Sequence, residues 1–319
     1  MNRRLHASTE SVVPDFGEAK IADLVRMDDP FAVLEEVRTI FHLMFPEGEF
    51  APVRRVFDDV RLLFAGNYPG YRACNTRFHD LQHTTDCFIA MARLLHGAWC
   101  TGVGFEEKSV IDCLVASLLH DTGYIQTEEE VVGTGARYTQ VHVQRSIAFM
   151  KRYFKDHGYT DDEFRLCRQC LECTGLDVNI EGIPFKDDIE EMVGHMLGTA
   201  DLLGQLGDRT YLEKLLFLYR EFKEAGIPGF VNEQDLLKKT EAFYQHTNKR
   251  FSEELADVRR FIRPHFATRW GIDRDLYAEA IRANMTYLRY VMDNHEDEYR
   301  SYLRRGGYVK AIEFGEKHM

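Results

Sequence analysis

The chain has 319 residues, with 40 Lys plus Arg against 52 Asp plus Glu and a formal net charge of −12. That acidic balance is not attracted to a nucleic-acid backbone or an anionic membrane, so both are excluded as main partners. At 45% hydrophobic and 29% charged residues the composition is that of an ordinary globular protein. A small anionic ligand stays compatible with it where a metal cation reverses the charge locally.

Met1–His6 opens a polar stretch with no apolar segment behind it, so no secretory signal is expected. The best apolar run, Cys113–Leu119, is far shorter than the roughly 18 residues a membrane span needs. Helical periodicity then runs through nearly the whole chain. Phe88, Leu94, Leu95, Ala98 and Trp99 make one apolar face, and Val110, Leu114, Val115, Leu118 and Leu119 make another. Thr160 with Glu163 forms a capping box that predicts a helix through Leu171. Cys167, Cys170 and Cys173 fall in that pattern and read as buried helix thiols rather than an iron–sulfur run, which needs a loop and a fourth thiolate. Seven cysteines, an odd number lying mostly in apolar helical patterns, predict reduced thiols and a cytoplasmic protein.

Asp187–Glu190 starts a further helix that buries Met192, Val193, Met196 and Leu197. Others are predicted over 208–225, 234–262 and 274–304. In the last, Leu276, Ile281, Leu288 and Val291 form a stripe that is either core or the seam of a homodimer. The expectation is an all-α chain: a helical lead-in over 1–69, a catalytic core over 70–262 and a helical extension over 263–319 packed on that core. The main irregular stretches are 67–74, the acidic 126–137 and 176–186.

Four residue groups carry metal chemistry. On a helix, His79, His83 and Asp86 stand at i, i+4 and i+7 and share a face. His120-Asp121 follows the buried run Cys113–Leu119, with Gly123 as a helix stop that leaves the pair at a helix end. Asp201 is an acid inside an apolar stretch, and His142 is the fourth group. Singly, each reads as readily as a cap or a core residue. Together, two neutral imidazoles and two carboxylates make a mixed N/O set suited to Mn, Fe, Zn, Ni or Mg, with open positions for water.

In the order H…HD…D, His83, His120-Asp121 and Asp201 resemble the ligands of the HD superfamily of metal-dependent phosphohydrolases. Within it, Phe78, His79, His83 and Asp86, and Ala200-Asp201-Leu202, are most similar to the catalytic domains of class I cyclic-nucleotide phosphodiesterases. The resemblance covers about residues 70–260 and implies a compact multi-helix bundle around the metal site. It implies that His79 is the proton donor, and that His142 and Thr174 hold a second metal or order its water. The chain departs from that pattern at Tyr124, where the family has a histidine, and at Gly204, where it has a substrate-contacting asparagine. The purine-clamping glutamine has no secure counterpart, Glu241 and Gln245 being the residues in the right stretch.

The implied activity is hydrolysis of a small anionic phosphate ester, foremost a cyclic nucleotide, by water activated on one or two divalent ions, with His79 and Asp121 as catalytic residues. Asp121 is the candidate bridge, since a carboxylate can bind two metals. Arg137, in the acidic stretch, is a candidate phosphate contact, with a solvated loop as the competing reading. An HD-type nucleotidase and a non-catalytic metal-binding sensor are the alternative functions.

Overall fold

Side-chain caps open most of the long helices in the computed structural model, which describes residues 18–175 and 178–317. The first 17 residues of the lead-in, Leu176 and Asp177 of the 176–186 stretch, and the last two residues lie outside the described part. The helices are α1 (Ile21–Leu24), α2 (Pro30–Met44), α3 (Ala51–Phe64), α4 (Leu81–Cys100), α5 (Glu107–Leu119), α6 (His142–His157) and α7 (Asp161–Glu172). They continue as α8 (Asp188–Gly207), α9 (Tyr211–Glu224), α10 (Glu233–Glu253), α11 (Ile262–Trp270), α12 (Leu276–Asn294), α13 (Tyr299–Tyr302) and α14 (Tyr308–Lys317). Asp29, Asp80, Thr160, Asp187, Asn232 and Asp275 accept backbone N–H bonds at the starts of α2, α4, α7, α8, α10 and α12, satisfying donors that a helix start leaves unpaired. Among the described residues the only β pairing is an isolated bridge between Tyr71 and Thr127. The fold class is all-α, as predicted.

Two helices form the centre. His83 through Ala98 of α4 are all buried, and the helix packs against α2, α5, α8 and α11. α8 crosses α4 at Gly204, where a Cβ would stand 3.0 Å from the backbone of Asp86 and Cys87. Position 204 therefore faces a neighbouring helix, and a side chain there would be driven into backbone. Val33, Leu95, Leu197 and Ile281 belong to one hydrophobic core, so all three segments expected from the sequence share it. No helix among the described residues is long and apolar enough to cross a membrane.

Two predicted helices are each interrupted. The 234–262 helix ends at Glu253, and Ala256 and Asp257 both take φ of 49°. The reversal is closed by backbone bonds from Leu255 N to Arg250 O (2.9 Å) and from Asp257 N to Phe251 O (2.7 Å). Phe251, Leu255 and Val258 are all buried across the reversal. The 274–304 helix ends at Asn294; His295 turns the chain and stacks on Tyr302 at 3.9 Å. The stripe of Leu276, Ile281, Leu288 and Val291 is core. Cys167, Cys170 and Cys173 are buried free thiols on and just after α7, as expected.

Candidate metal centre

Three helices bring the donor atoms together. His83 sits in the first turn of α4, whose N-cap Asp80 accepts the His83 N–H at 3.0 Å. Because Asp80 ends the helix, His79 lies outside it, so His79, His83 and Asp86 do not share one helical face as predicted. Asp86 leaves the group altogether: its Cβ points toward Gly204 of α8, and burial, with the Asp208 carboxylate second, pushes its carboxyl well above the usual range.

His120 caps the C-terminal end of α5, and Asp121 follows with φ −108° and ψ 9°. Gly123 is not a left-handed helix stop. It sits in a tight turn over Thr122–Tyr124, and a Cβ on it would stand 2.0 Å from the carbonyl oxygen of His142. Its missing side chain lets α6 come close enough to deliver His142. Asp201 is presented from the middle of α8.

His83 Nε2 is 3.2 Å from Asp121 Oδ2, 3.1 Å from Asp201 Oδ1 and 3.4 Å from His120 Nε2. His120 Nε2 is 3.4 Å from Asp121 Oδ2 and 3.8 Å from Asp201 Oδ1. Adjacent ligands bound at about 2.0–2.2 Å to one ion are about 3–3.5 Å from one another, so His83, His120 and Asp121 are spaced for a shared cation, with Asp201 Oδ1 beside His83. His120 Nδ1 lies 2.8 Å from the Ser117 carbonyl oxygen. That contact puts the ring proton on Nδ1 and the lone pair on Nε2, which faces the cluster. Asp121 Oδ2 is at ion-pair distance from both imidazoles yet buried without a hydrogen bond. A buried carboxylate oxygen left so is costly, and a cation among these donors removes the cost. The buried His83, His120 and Asp121 group can therefore hold a metal ion.

The electrostatics have the same sign. Burial opposes the charged form of His83, but Asp121 and Asp201 outweigh it and push the imidazole up to about 9. His120 is raised well above its ordinary value against the same burial, chiefly by Asp121. Burial would raise the carboxyls, yet the imidazoles hold Asp121 well below the usual range and Asp201 below it. The site is a pocket of negative potential that holds positive charge.

His142, the first residue of α6, turns Nε2 to 3.8 Å from the other Asp121 oxygen, Oδ1. Burial lowers its pKa, and Asp121 only partly restores it. His79, Tyr124 and His142 form a stack, with centroids 4.2 Å apart for the first pair and 4.7 Å for the second. Tyr124, which departs from the family pattern, is thus the spacer between two site histidines. Thr174 lines the same cavity, its hydroxyl donating to Leu171 O at 2.8 Å.

The cavity, about 720 Å³, is bounded by His79, His83, Asp121, Tyr124, His142 and Asp201 on one side. Arg137 does not line it: its guanidinium donates to Val132 O at 3.1 Å and lies over the Tyr138 ring. Glu241 and Gln245 do not reach it either; Gln245 donates to Glu241, which pairs with Arg289.

One site residue escaped the sequence. Glu221, buried on α9, places Oε2 2.7 Å from His79 Nδ1, and its Oε1 accepts the N–H groups of Arg77 and Phe78, each at 2.7 Å. Its signal was an acid among Leu215, Leu218 and Phe222, the apolar side of α9 that lines the cavity.

Comparison with known families gives one match. A family model described as Npun_R2479-like matches residues 68–257, and the chain belongs to that family. No curated protein and no solved structure matches it.

Proposed function

We propose that this member of the Npun_R2479-like family is a metal-dependent phosphohydrolase that cleaves a phosphodiester. The observation that carries the reading is the convergence of His83, His120 and Asp121 at 3.2–3.4 Å, with Asp201 3.1 Å from His83, beside a cavity lined by His79, His83, Asp121 and Asp201. The likeness of these positions to the HD superfamily supports it. The donor set suits Mn, Fe, Zn, Ni or Mg. A divalent ion supplies a water whose pKa falls toward about 7 and charge that offsets the phosphoryl oxygens. This is how a protein of net charge −12 takes an anionic ester.

The chain's own groups do the rest. Glu221 holds the His79 ring at Nδ1, so that Nε2 can carry a proton to the departing ester oxygen. Asp121 uses Oδ2 toward His83 and keeps Oδ1 toward His142, an arrangement suited to a second ion or its ordered water. Thr174 closes the same side. The seven free cysteines suit a reducing compartment such as the cytoplasm.

By the resemblance alone the ester would be a cyclic nucleotide; we commit only to a phosphodiester. A monoesterase of the nucleotidase kind is the second reading, because it would need the ions but not His79. The test is turnover of bis-p-nitrophenyl phosphate against p-nitrophenyl phosphate by the Mn²⁺-loaded protein and by His79→Ala. Diester turnover that falls about 10²–10⁴-fold in the variant supports the proposal. Monoester turnover alone, indifferent to His79, selects the second reading, and no turnover of either leaves a metal-binding sensor module.

A further inference from the structure

The cavity has two unlike sides. Its polar lining clusters by the metal donors: Gln205 is one helical turn after Asp201, and Gln140 and Gln144 flank His142 in sequence. The wall supplied by α9, α10 and the loop between them is apolar, with Leu215, Leu218, Phe222, Phe230, Leu236 and Phe243 among its residues. The Phe222 and Phe230 rings stand 5.5 Å apart at 31°, a tilted pair inside that wall.

Two polar side chains of the wall are already engaged. Lys239 Nζ donates to Gly229 O at 2.6 Å and to Asp235 Oδ2 at 2.8 Å, and the Thr240 hydroxyl donates to Leu236 O at 2.9 Å. No arginine lines the cavity among the described residues. A nucleobase seated there would find only the third Lys239 N–H and the Thr240 oxygen for all its ring nitrogens and exocyclic groups, and each buried polar group left unpaired costs more than its apolar burial returns. A hydrocarbon group has no such debt, and each buried methylene adds favourable transfer energy.

Resting on the phosphohydrolase reading, we infer that the organic group of the substrate is an alkyl or aryl chain bound by the α9–α10 wall, so that the substrate is an apolar phosphodiester rather than a nucleotide. Recognition is by burial, and selectivity follows chain length.

The test uses p-nitrophenyl alkyl phosphodiesters from methyl to octyl on the Mn²⁺-loaded protein, with 3′,5′- and 2′,3′-cyclic nucleotides alongside. kcat/KM should rise about two- to fourfold per methylene until the lobe is filled, and Phe222→Ala or, separately, Phe243→Gln should flatten that slope. Equal kcat/KM along the series, or a cyclic nucleotide preferred over the octyl ester, overturns the inference. Calorimetric binding of ethyl- to octylphosphonate separates the two proposals. If no ester is turned over, the hydrolase reading falls, yet affinity that climbs with chain length and a negative heat-capacity change still support the apolar lobe. Affinity independent of chain length overturns the inference.

Discussion

Glu221 Oε2 lies 2.7 Å from His79 Nδ1, although 142 positions separate the two residues in the chain. The carboxylate is buried and also accepts two backbone N–H groups from Arg77 and Phe78, so it is fixed before it meets the imidazole. In the proposed reaction Glu221 is a positioning residue, acting through His79.

Glu221→Gln keeps an acceptor for those two N–H groups but loses the carboxylate oxygen that faces His79 Nδ1. kcat on a diester should fall about 10–100-fold, part of the 10²–10⁴ that a general acid contributes. Metal content and KM should hold, so that the loss falls on kcat alone. An unchanged kcat, or a loss confined to KM, would detach Glu221 from the chemistry.

Tyr124 separates His79 from His142 as the middle ring of a stack and puts its hydroxyl 3.4 Å from His79 Nε2. Tyr124→Phe keeps both ring contacts and should cost less than about threefold in kcat/KM. Tyr124→Ala removes two pairs worth about 0.5–1.5 kcal/mol each and should cost tenfold or more, with metal still bound. Equal effects of the two variants would place the importance in the hydroxyl instead.

Gly123 is set by contact rather than by backbone conformation. A Cβ there meets His142 O at 2.0 Å and Ser146 N at 2.8 Å, and the Gly123 N–H already donates to Ser146 Oγ at 2.8 Å. Gly123→Ala should push the start of α6 outward, lower stability by about 1–3 kcal/mol and reduce activity together with it. Denaturant unfolding read beside turnover checks this, and a variant of native stability and full activity would contradict it.

Asp112, buried on α5, has Oδ1 without a hydrogen bond and Oδ2 3.9 Å from Lys108 Nζ. Burial, only partly offset by Lys108, pushes its carboxyl up to about 7 from an ordinary 3.8. The folded state therefore holds a proton that the unfolded state has lost between about pH 4 and pH 7, so stability falls as pH rises through that window. At about 1.36 kcal/mol per unit the effect is on the order of 4 kcal/mol. Asp112→Asn, the neutral isostere, should lose several degrees less of Tm than the parent between pH 5 and pH 8. Parallel Tm profiles would refute the assignment.

Side-chain chemistry and order made the donor group legible: His83, His120 and Asp121 come together as one buried group that could hold an ion, with Asp201 3.1 Å from His83. The caps at Thr160 and Asp187 were legible for a similar reason, since capping is decided within four residues. What depended on distant partners was not. His79 stands off the helix because Asp80 caps it, and the 234–262 pattern keeps its helical periodicity, with Phe251, Leu255 and Val258 at i, i+4 and i+7, across the left-handed reversal at 256 and 257. Glu221 is an ordinary acid until α9 is laid against the site. Arg137 looked like a phosphate contact on charge alone, and its own loop holds it elsewhere.

Metal content of the purified, Mn²⁺-reconstituted protein, compared with His83→Ala and Asp121→Ala, tests the central claim most directly. The account predicts at least one equivalent of divalent ion in the parent and loss of that ion in both variants, with helical circular dichroism retained. A folded parent that retains no ion, or variants that bind it as well as the parent, would contradict it.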